Sequence, residues 1–173
     1  MSVKETTDNQ AHILILGIGN VLMGDEGVGV HVVRRLERMP LPANVRLLDG
    51  GTGSFQLLEA IQEASRVLLV DATVDGEAPG TVRRLTPRFA SDYPATLTAH
   101  DIGLKDLLDV AYLTRGQLEV TLFAVSIDAL QGVATELSVA LAKRLDAIAE
   151  TVYQEACRMA QAAKAEQPEA CRA

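Results

Sequence analysis

The chain has 173 residues, which is the length of one domain that can bury its own hydrophobic core. Hydrophobic residues make up 48% and aromatic residues only 3%, so a globular protein with a mainly aliphatic core is expected. The formal net charge of -7 repels phosphate groups, which argues against nucleic acids and anionic membrane surfaces as partners.

The cysteines and the first residues predict a cytoplasmic protein without a membrane segment. Cys157 and Cys171 lie near the C-terminus, and their spacing fits neither a disulfide framework nor a metal site. Residues 1–10 are polar and lack the apolar stretch of a signal peptide, and no segment is long enough to span a membrane. We predict a disordered tail at 1–10, a single α/β domain at 11–163 and a frayed end at 164–173.

The first half of the chain alternates predicted strands with predicted helices. Residues 12–17 form a short apolar run that is typical of a strand buried on both faces. A loop rich in glycine and acidic residues follows, and then a helix with apolar residues at helical spacing up to Leu36. A second strand is predicted at 45–48 and a third at 66–70, with another helix between them.

The second half continues this alternation. Residues 80–85 predict an edge strand, because arginines interrupt its apolar run. Thr98 resembles the N-cap of a helix, with Asp101 as its capping-box partner. A fifth strand is predicted at 118–125 and one long helix after it. The whole pattern predicts a mostly parallel, twisted five-stranded sheet with helices on both faces.

Three of the predicted strands deliver a carboxylate to the same edge of the sheet. Glu26 follows the first strand, Asp49 the second and Asp71 the third. Ligands bind beyond the carboxyl ends of the strands in such folds. Gly17 and Gly19 fit the start of a dinucleotide-binding fingerprint, but Leu22 stands where its third glycine should be. The acidic residues of this loop would also repel a pyrophosphate. A cation is therefore the favoured ligand over a nucleotide.

His100 is the histidine nearest to the predicted active edge. In the first turn of a helix that Thr98 caps, the positive helix end favours a neutral imidazole, which is the form that binds metals. Together, Glu26, Asp71 and His100 offer two carboxylates and one nitrogen. This set suits a borderline divalent cation such as nickel or zinc, with coordination positions left open.

Each carboxylate also has a structural interpretation. Asp25 is most simply an N-cap, and Glu26 a solvated carboxylate in the first helical turn. Asp49 either caps the following helix or holds the glycine loop through an Asx-turn, and Asp71 is then a turn residue. From the spacing of the residues alone, a metal site and these structural roles are equally favoured. Standard protease motifs are absent from the sequence, so the residues themselves predict only an acidic α/β protein with a candidate metal site.

Four sequence blocks follow one another between about Ile13 and the C-terminal helix. Residues 19–29 fit Gly-Asn-x-Leu-x-x-Asp-Glu-x-x-Gly without a mismatch, and Asp49-Gly50-Gly51-Thr52, Asp71-Ala72 and His100-Asp101-Ile102-Gly103-Leu104 come next. In this order and spacing they resemble the endopeptidases that mature nickel-iron hydrogenases. One departure is Val125-Ser126-Ile127-Asp128 after the last strand, where members of that family often carry a proline.

The resemblance implies a reaction and a substrate. Enzymes of this family remove a short C-terminal peptide from the hydrogenase large-subunit precursor after nickel has been inserted into it. The nickel is therefore expected to arrive with the substrate, with no organic cofactor. The alternative is a nickel-dependent checkpoint or chaperone that binds the large subunit without cutting it. A monomer is expected.

The resemblance also implies the site residues. By this analogy, Glu26, Asp71 and His100 recognise the nickel, and Asp49 is a further important carboxylate. Asp49 or Glu26 is the expected general base.

Overall fold

The computed structural model describes residues 12–52, 55–87, 92, 108–114, 118–129 and 132–166. The strands are β1 (Ile13–Ile18), β2 (Val45–Gly51), β3 (Arg66–Thr73), β4 (Val82–Leu85) and β5 (Glu119–Ser126). The helices are α1 (Val28–Leu36), α2 (Leu58–Glu63), α3 (Val139–Ala142) and α4 (Leu145–Glu166). Short 3-10 helices occupy Gly24–Gly27 and Phe55–Leu57, and residues 108–114 are also helical.

The strands form one five-stranded sheet in the order β2-β1-β3-β5-β4. β1 is parallel to β2 and to β3, and β3 is parallel to β5. β4 pairs antiparallel with β5 at the outer edge. An edge position leaves room for the arginines of β4, because one side of an edge strand remains accessible. The predicted mostly parallel sheet and the predicted edge strand are both confirmed.

Side-chain alternation along the strands builds two separate cores. Ile13 and Ile15 of β1 belong to a core with the apolar residues of α1 and α4. Leu14 and Leu16 belong to a core on the other face, with α2 and the helical residues 108–114. Both faces of the central strands are thereby covered, which explains their continuous apolar runs and confirms helices on both faces.

Two glycines let α1 lie directly against the sheet. A Cβ atom on Gly29 would come within 2.3 Å of the carbonyl oxygens of both Ile18 and Val70. A Cβ atom on Gly17 of β1 would lie 2.2 Å from the carbonyl oxygen of Gly29. This close approach also places the 3-10 helix Gly24–Gly27, which precedes α1, in contact with β3.

The C-terminal helix is divided, contrary to the prediction of one long helix. Its apolar stripe packs on the sheet as expected, from Leu141 in α3 onward. Between α3 and α4, the N–H of Arg144 donates to the carbonyl of Leu141 at 2.9 Å, three residues back, and the chain turns there. The predicted tail 1–10 and residues 167–173 lie outside the described residues, and α4 continues to Glu166.

None of the helices among the described residues has both the length and the apolar character that crossing a bilayer requires.

Glu155 of α4 anchors this helix to the edge strand β4. Its carboxylate accepts a hydrogen bond from Arg84 of β4 at 2.7 Å and another from Arg158 at 2.7 Å. The Glu155 side chain is 12% exposed. The hydrogen bond from Arg158, and then that from Arg84, lower the pKa of Glu155 from 4.5 to about 2, against the opposing effect of burial.

Replacing Glu155 by Gln is expected to lower the free energy of unfolding by about 1 kcal/mol at neutral pH, since solvent weakens the pairs with the half-exposed arginines. Because the pKa of Glu155 is lower in the folded state, this stabilisation is present above pH 4.5 and disappears as the pH falls towards about 2. Urea unfolding of both proteins at neutral and at acidic pH measures the difference. The matched control is Glu150→Gln, because Glu150 accepts its hydrogen bond from the neutral Gln154. A difference that stays constant across this pH range would contradict the prediction.

Candidate active site

The loop between β1 and α1 carries Glu26 into the interior at the carboxyl end of the sheet. Gly19 has a φ of 142°, and a Cβ atom there would lie 2.0 Å from the carbonyl oxygen of Glu26, so only glycine permits this fold of the loop. The Asn20 side chain accepts a hydrogen bond from the N–H of Leu22 at 3.0 Å. Glu26 itself is 3% exposed. The alternative of a solvated first-turn carboxylate is therefore wrong.

Asp25 has a structural role, but not the predicted one. The N-cap of α1 is Gly27, and no side chain caps this helix. The Oδ1 atom of Asp25 instead accepts a hydrogen bond from the N–H of Ser138 at 2.6 Å. The prediction of an N-cap is wrong because Asp25 lies within the 3-10 helix Gly24–Gly27, and α1 begins only after Gly27. Its carboxylate ties the loop to the residue before α3.

Asp71 is completely buried within β3. The strand continues to Thr73, because pairing with β5 extends that far, so the alternative of a turn residue is wrong. The Oδ1 atom of Asp71 accepts a hydrogen bond from the N–H of Ala72 at 2.7 Å. Alternation along β3 places Asp71 on the same face as Leu69, which is the face covered by α2 and residues 108–114.

Asp49 stands apart from this buried region, on the edge strand β2. Its side chain is 41% exposed and accepts a hydrogen bond from Arg34 of α1 at 3.2 Å. Its other oxygen accepts the N–H of Gly51 at 3.0 Å, which confirms the predicted Asx-turn. In the strand register Gly17 of β1 lies between Asp49 and Val70 of β3, so β2 and β3 are roughly 10 Å apart here.

Glu26 and Asp71 are both buried near the carboxyl ends of the strands, whereas Asp49 is half-exposed. The 3-10 helix that carries Glu26 contacts β3, the strand of Asp71. Within the part of the chain that the structure describes, no three His, Cys, Asp or Glu side chains are grouped closely enough to hold a metal ion. Glu26, Asp71 and Asp49 therefore do not form a metal site by themselves. His100, the third predicted ligand, lies outside the described residues, as does Thr98.

Two residues that shape this region carried no recognisable signal in the sequence. The N–H of Ser138 donates to Asp25, which lies 113 positions earlier in the chain. Local sequence patterns carry no information about contacts at such a separation. Arg34 reaches Asp49 because α1 lies over the end of β2. Burial, and then the positive charge of Arg34, lower the pKa of the neighbouring His31, which is consequently neutral near pH 7.

The sequence model of the hydrogenase maturation protease family matches residues 30–155. That range contains Asp49, Asp71 and His100 and begins shortly after Glu26.

Individual relatives carry related names. The chain is 45% identical over 107 residues to the hydrogenase expression/formation protein HupD of Rhodobacter capsulatus, a match that covers 58% of this chain and 50% of that protein. It is 39% identical over 108 residues to the hydrogenase 2 maturation protease of Escherichia coli, covering 59% of this chain and 64% of the relative. The chain spans about half the length of several curated relatives that it matches, including HupD.

Solved structures share the fold over nearly the whole domain. The hydrogenase maturating endopeptidase HybD of E. coli superposes with a TM-score of 0.76 at 30% identity, covering 86% of this chain and 93% of that one. The HycI hydrogenase maturation protease of Thermococcus kodakarensis gives a TM-score of 0.68 at 22% identity, covering 85% and 93%, and supports the fold alone. The family match over most of the chain and the likeness to HybD agree, and the chain belongs to the family of hydrogenase maturation proteases.

Proposed function

We propose that this protein is an endopeptidase that removes a short C-terminal peptide from the large-subunit precursor of a nickel-iron hydrogenase. The observation that carries the proposal, besides family membership, is the burial of Glu26 and Asp71 at the carboxyl edge of the sheet. The two carboxylates lie at the edge where α/β proteins bind ligands. Carboxylate oxygens are among the ligands of divalent cations, so this edge is suited to a site for a positively charged group.

Glu26, Asp71 and His100 are the residues that we expect to recognise the nickel of the client protein. Their two carboxylates and one imidazole form a donor set suited to a borderline divalent cation. Three ligands leave positions open that groups of the client can fill, and we propose that the ion arrives with the client. Nickel held there supplies Lewis acidity and a fixed point for the client's tail.

Of the two predicted catalytic carboxylates, Glu26 is better placed to accept a proton during peptide hydrolysis. It is buried on the 3-10 helix that contacts β3, the strand of the proposed nickel ligand Asp71. Asp49 lies instead on the edge strand β2 with its side chain 41% exposed, and its carboxylate accepts hydrogen bonds from Arg34 and from the N–H of Gly51. Asp49 accordingly acts as a positioning residue, which holds the glycine loop at the end of β2.

A cleavage assay with two forms of the precursor tests this proposal. Nickel-loaded and nickel-free large-subunit precursors are incubated with the protein, and loss of the C-terminal peptide is followed by electrophoretic mobility and mass spectrometry. We expect cleavage of the nickel-loaded form only. Binding of the precursor without cleavage would support a nickel-dependent checkpoint or chaperone instead. If the protein neither binds nor cleaves the precursors of its own organism, the assignment of the client is wrong.

We further propose that the protein works in the cytoplasm as a monomer. Cys157, in the described part of α4, is a free thiol, as is usual for proteins of a reducing compartment. Sedimentation of the purified protein would reveal any self-association.

A further inference from the structure

Large apolar side chains are exposed on two loops beside Glu26. Among the described residues, the exposed large hydrophobic side chains are Leu22, Leu113, Val133 and Val139, with 56, 86, 87 and 72% exposure. Single exposed apolar residues are common and need no explanation. Three of these four, however, lie on the loop that precedes Glu26, on the segment that leads into α3, or at the first residue of α3.

Backbone hydrogen bonds hold these two segments together. The N–H of Ala134 donates to the carbonyl of Leu22 at 2.9 Å, and the N–H of Gly24 donates to the carbonyl of Ala134 at 2.7 Å. Met23 and Ala134 form a parallel bridge, and Leu22 and Val133 directly precede these two residues. Val139 directly follows Ser138, whose N–H is held by the carboxylate of Asp25. We call the exposed side chains of Leu22, Val133 and Val139 the loop patch.

We propose that the loop patch is a docking surface for an apolar region of the hydrogenase large-subunit precursor, next to its C-terminal tail. This inference rests on the proposed function. Leu22 lies only four residues before Glu26, so a client that brings its tail to Glu26 also comes to lie over this loop. Covering exposed apolar side chains drives association, with about 25 cal/mol gained for each Å² of apolar surface removed from water.

The hydrogen bonds of the loop patch also favour this role. Loops that are already tied to each other lose little conformational freedom when a partner binds, so more of the contact energy appears as affinity. An apolar centre beside a polar, functional edge is also the usual arrangement of a protein interface. The loop patch thus supplies affinity for the folded part of the client, while Glu26 and Asp71 act on its tail.

The chain offers a matched control for this surface. Leu113 is as exposed as Val133 but lies near the opposite end of the sheet. Its neighbour Thr114 accepts a hydrogen bond from Gln62 of α2 at 3.5 Å, close to the start of β3. A change at Leu113 alters the exposed apolar surface without touching the edge that carries Glu26.

The experiment compares a double variant, Leu22→Ser with Val133→Ser, with the control Leu113→Ser and with the wild type. Both the affinity for nickel-loaded precursor, by titration, and the steady-state cleavage of that precursor are measured. We expect the double variant to raise Kd and KM about tenfold with kcat within about twofold, and the control to leave all three unchanged. Melting temperatures equal to that of the wild type show that the variants are folded. The single variant Val133→Lys provides a second test of the same surface.

The outcomes separate this inference from the proposed function. If the wild type cleaves the precursor and the double variant binds and cleaves it equally well, the docking surface lies elsewhere and the proposed function stands. If the wild type binds without cleaving, the peptidase proposal fails, and the ratio of the two Kd values still decides the role of the loop patch. If the substitutions abolish self-association of this chain and leave Kd for the precursor unchanged, the patch is an interface between copies and the inference is overturned.

Discussion

Replacing Glu26 by Gln is expected to slow processing of the nickel-loaded precursor at least about 100-fold while the fold remains intact. The amide keeps the size of the buried side chain but has neither the negative charge that a cation requires nor the basicity that a proton acceptor requires. Single-turnover cleavage, followed by mass spectrometry, measures the effect. Circular dichroism and thermal unfolding establish that the variant is folded.

The control for this prediction is Glu37→Gln at the C-terminal end of α1, an exposed position on the same helical segment. It should process the precursor at the wild-type rate. His100→Ala is expected to match the loss seen for Glu26→Gln, since both are proposed to recognise the same ion. Unimpaired processing by both Glu26→Gln and His100→Ala would show that the site assignment is wrong.

Replacing Gly29 by Ala is expected to destabilise the protein by about 3 kcal/mol or more, because the new methyl group has no space. Its Cβ atom would lie 2.3 Å from the carbonyl oxygens of Ile18 and Val70, and backbone atoms of a central sheet cannot move aside cheaply. Helix α1 must then shift away from the sheet, and the 3-10 helix that carries Glu26 shifts with it. Urea unfolding measures the loss of stability, and the cleavage assay measures its effect on the site.

Gly132→Ala is the matched control for this substitution. A Cβ atom at Gly132 would have nothing within 4 Å, so we expect the free energy of unfolding to change by less than about 0.5 kcal/mol. If Gly29→Ala unfolds at the same urea concentration as the wild type, α1 does not pack on β1 and β3 as closely as described.

The predicted sheet and the observed one agree because burial leaves a strong pattern in the sequence. Strands β1, β3 and β5 lie between two layers of helices, so most of their residues are apolar and each strand is recognisable in the sequence. The arginines of β4 revealed an edge position for the same reason, since a central strand would have had to bury them.

The boundaries were less predictable, because hydrogen bonds with distant parts of the chain decide them. β3 extends beyond Asp71 to Thr73 because β5 continues to pair with it. The division between α3 and α4 leaves the apolar stripe intact, so periodicity alone could not reveal it. The predicted helix at Thr98 lies outside the described residues and stays a prediction.

For the candidate site, the sequence by itself determined which carboxylates follow which strands, and hence that Glu26, Asp49 and Asp71 approach one edge of a parallel sheet. Only the tertiary structure decided how each is used. Glu26 is buried because glycines let its loop and α1 lie against the sheet, and Asp71 is buried because α2 and residues 108–114 cover the other face. Asp49 is half-exposed on an edge strand beside Arg34. Burial depends on which surfaces meet across the whole chain. A local sequence pattern shows which side chains a segment contains, but not which distant segments pack against them.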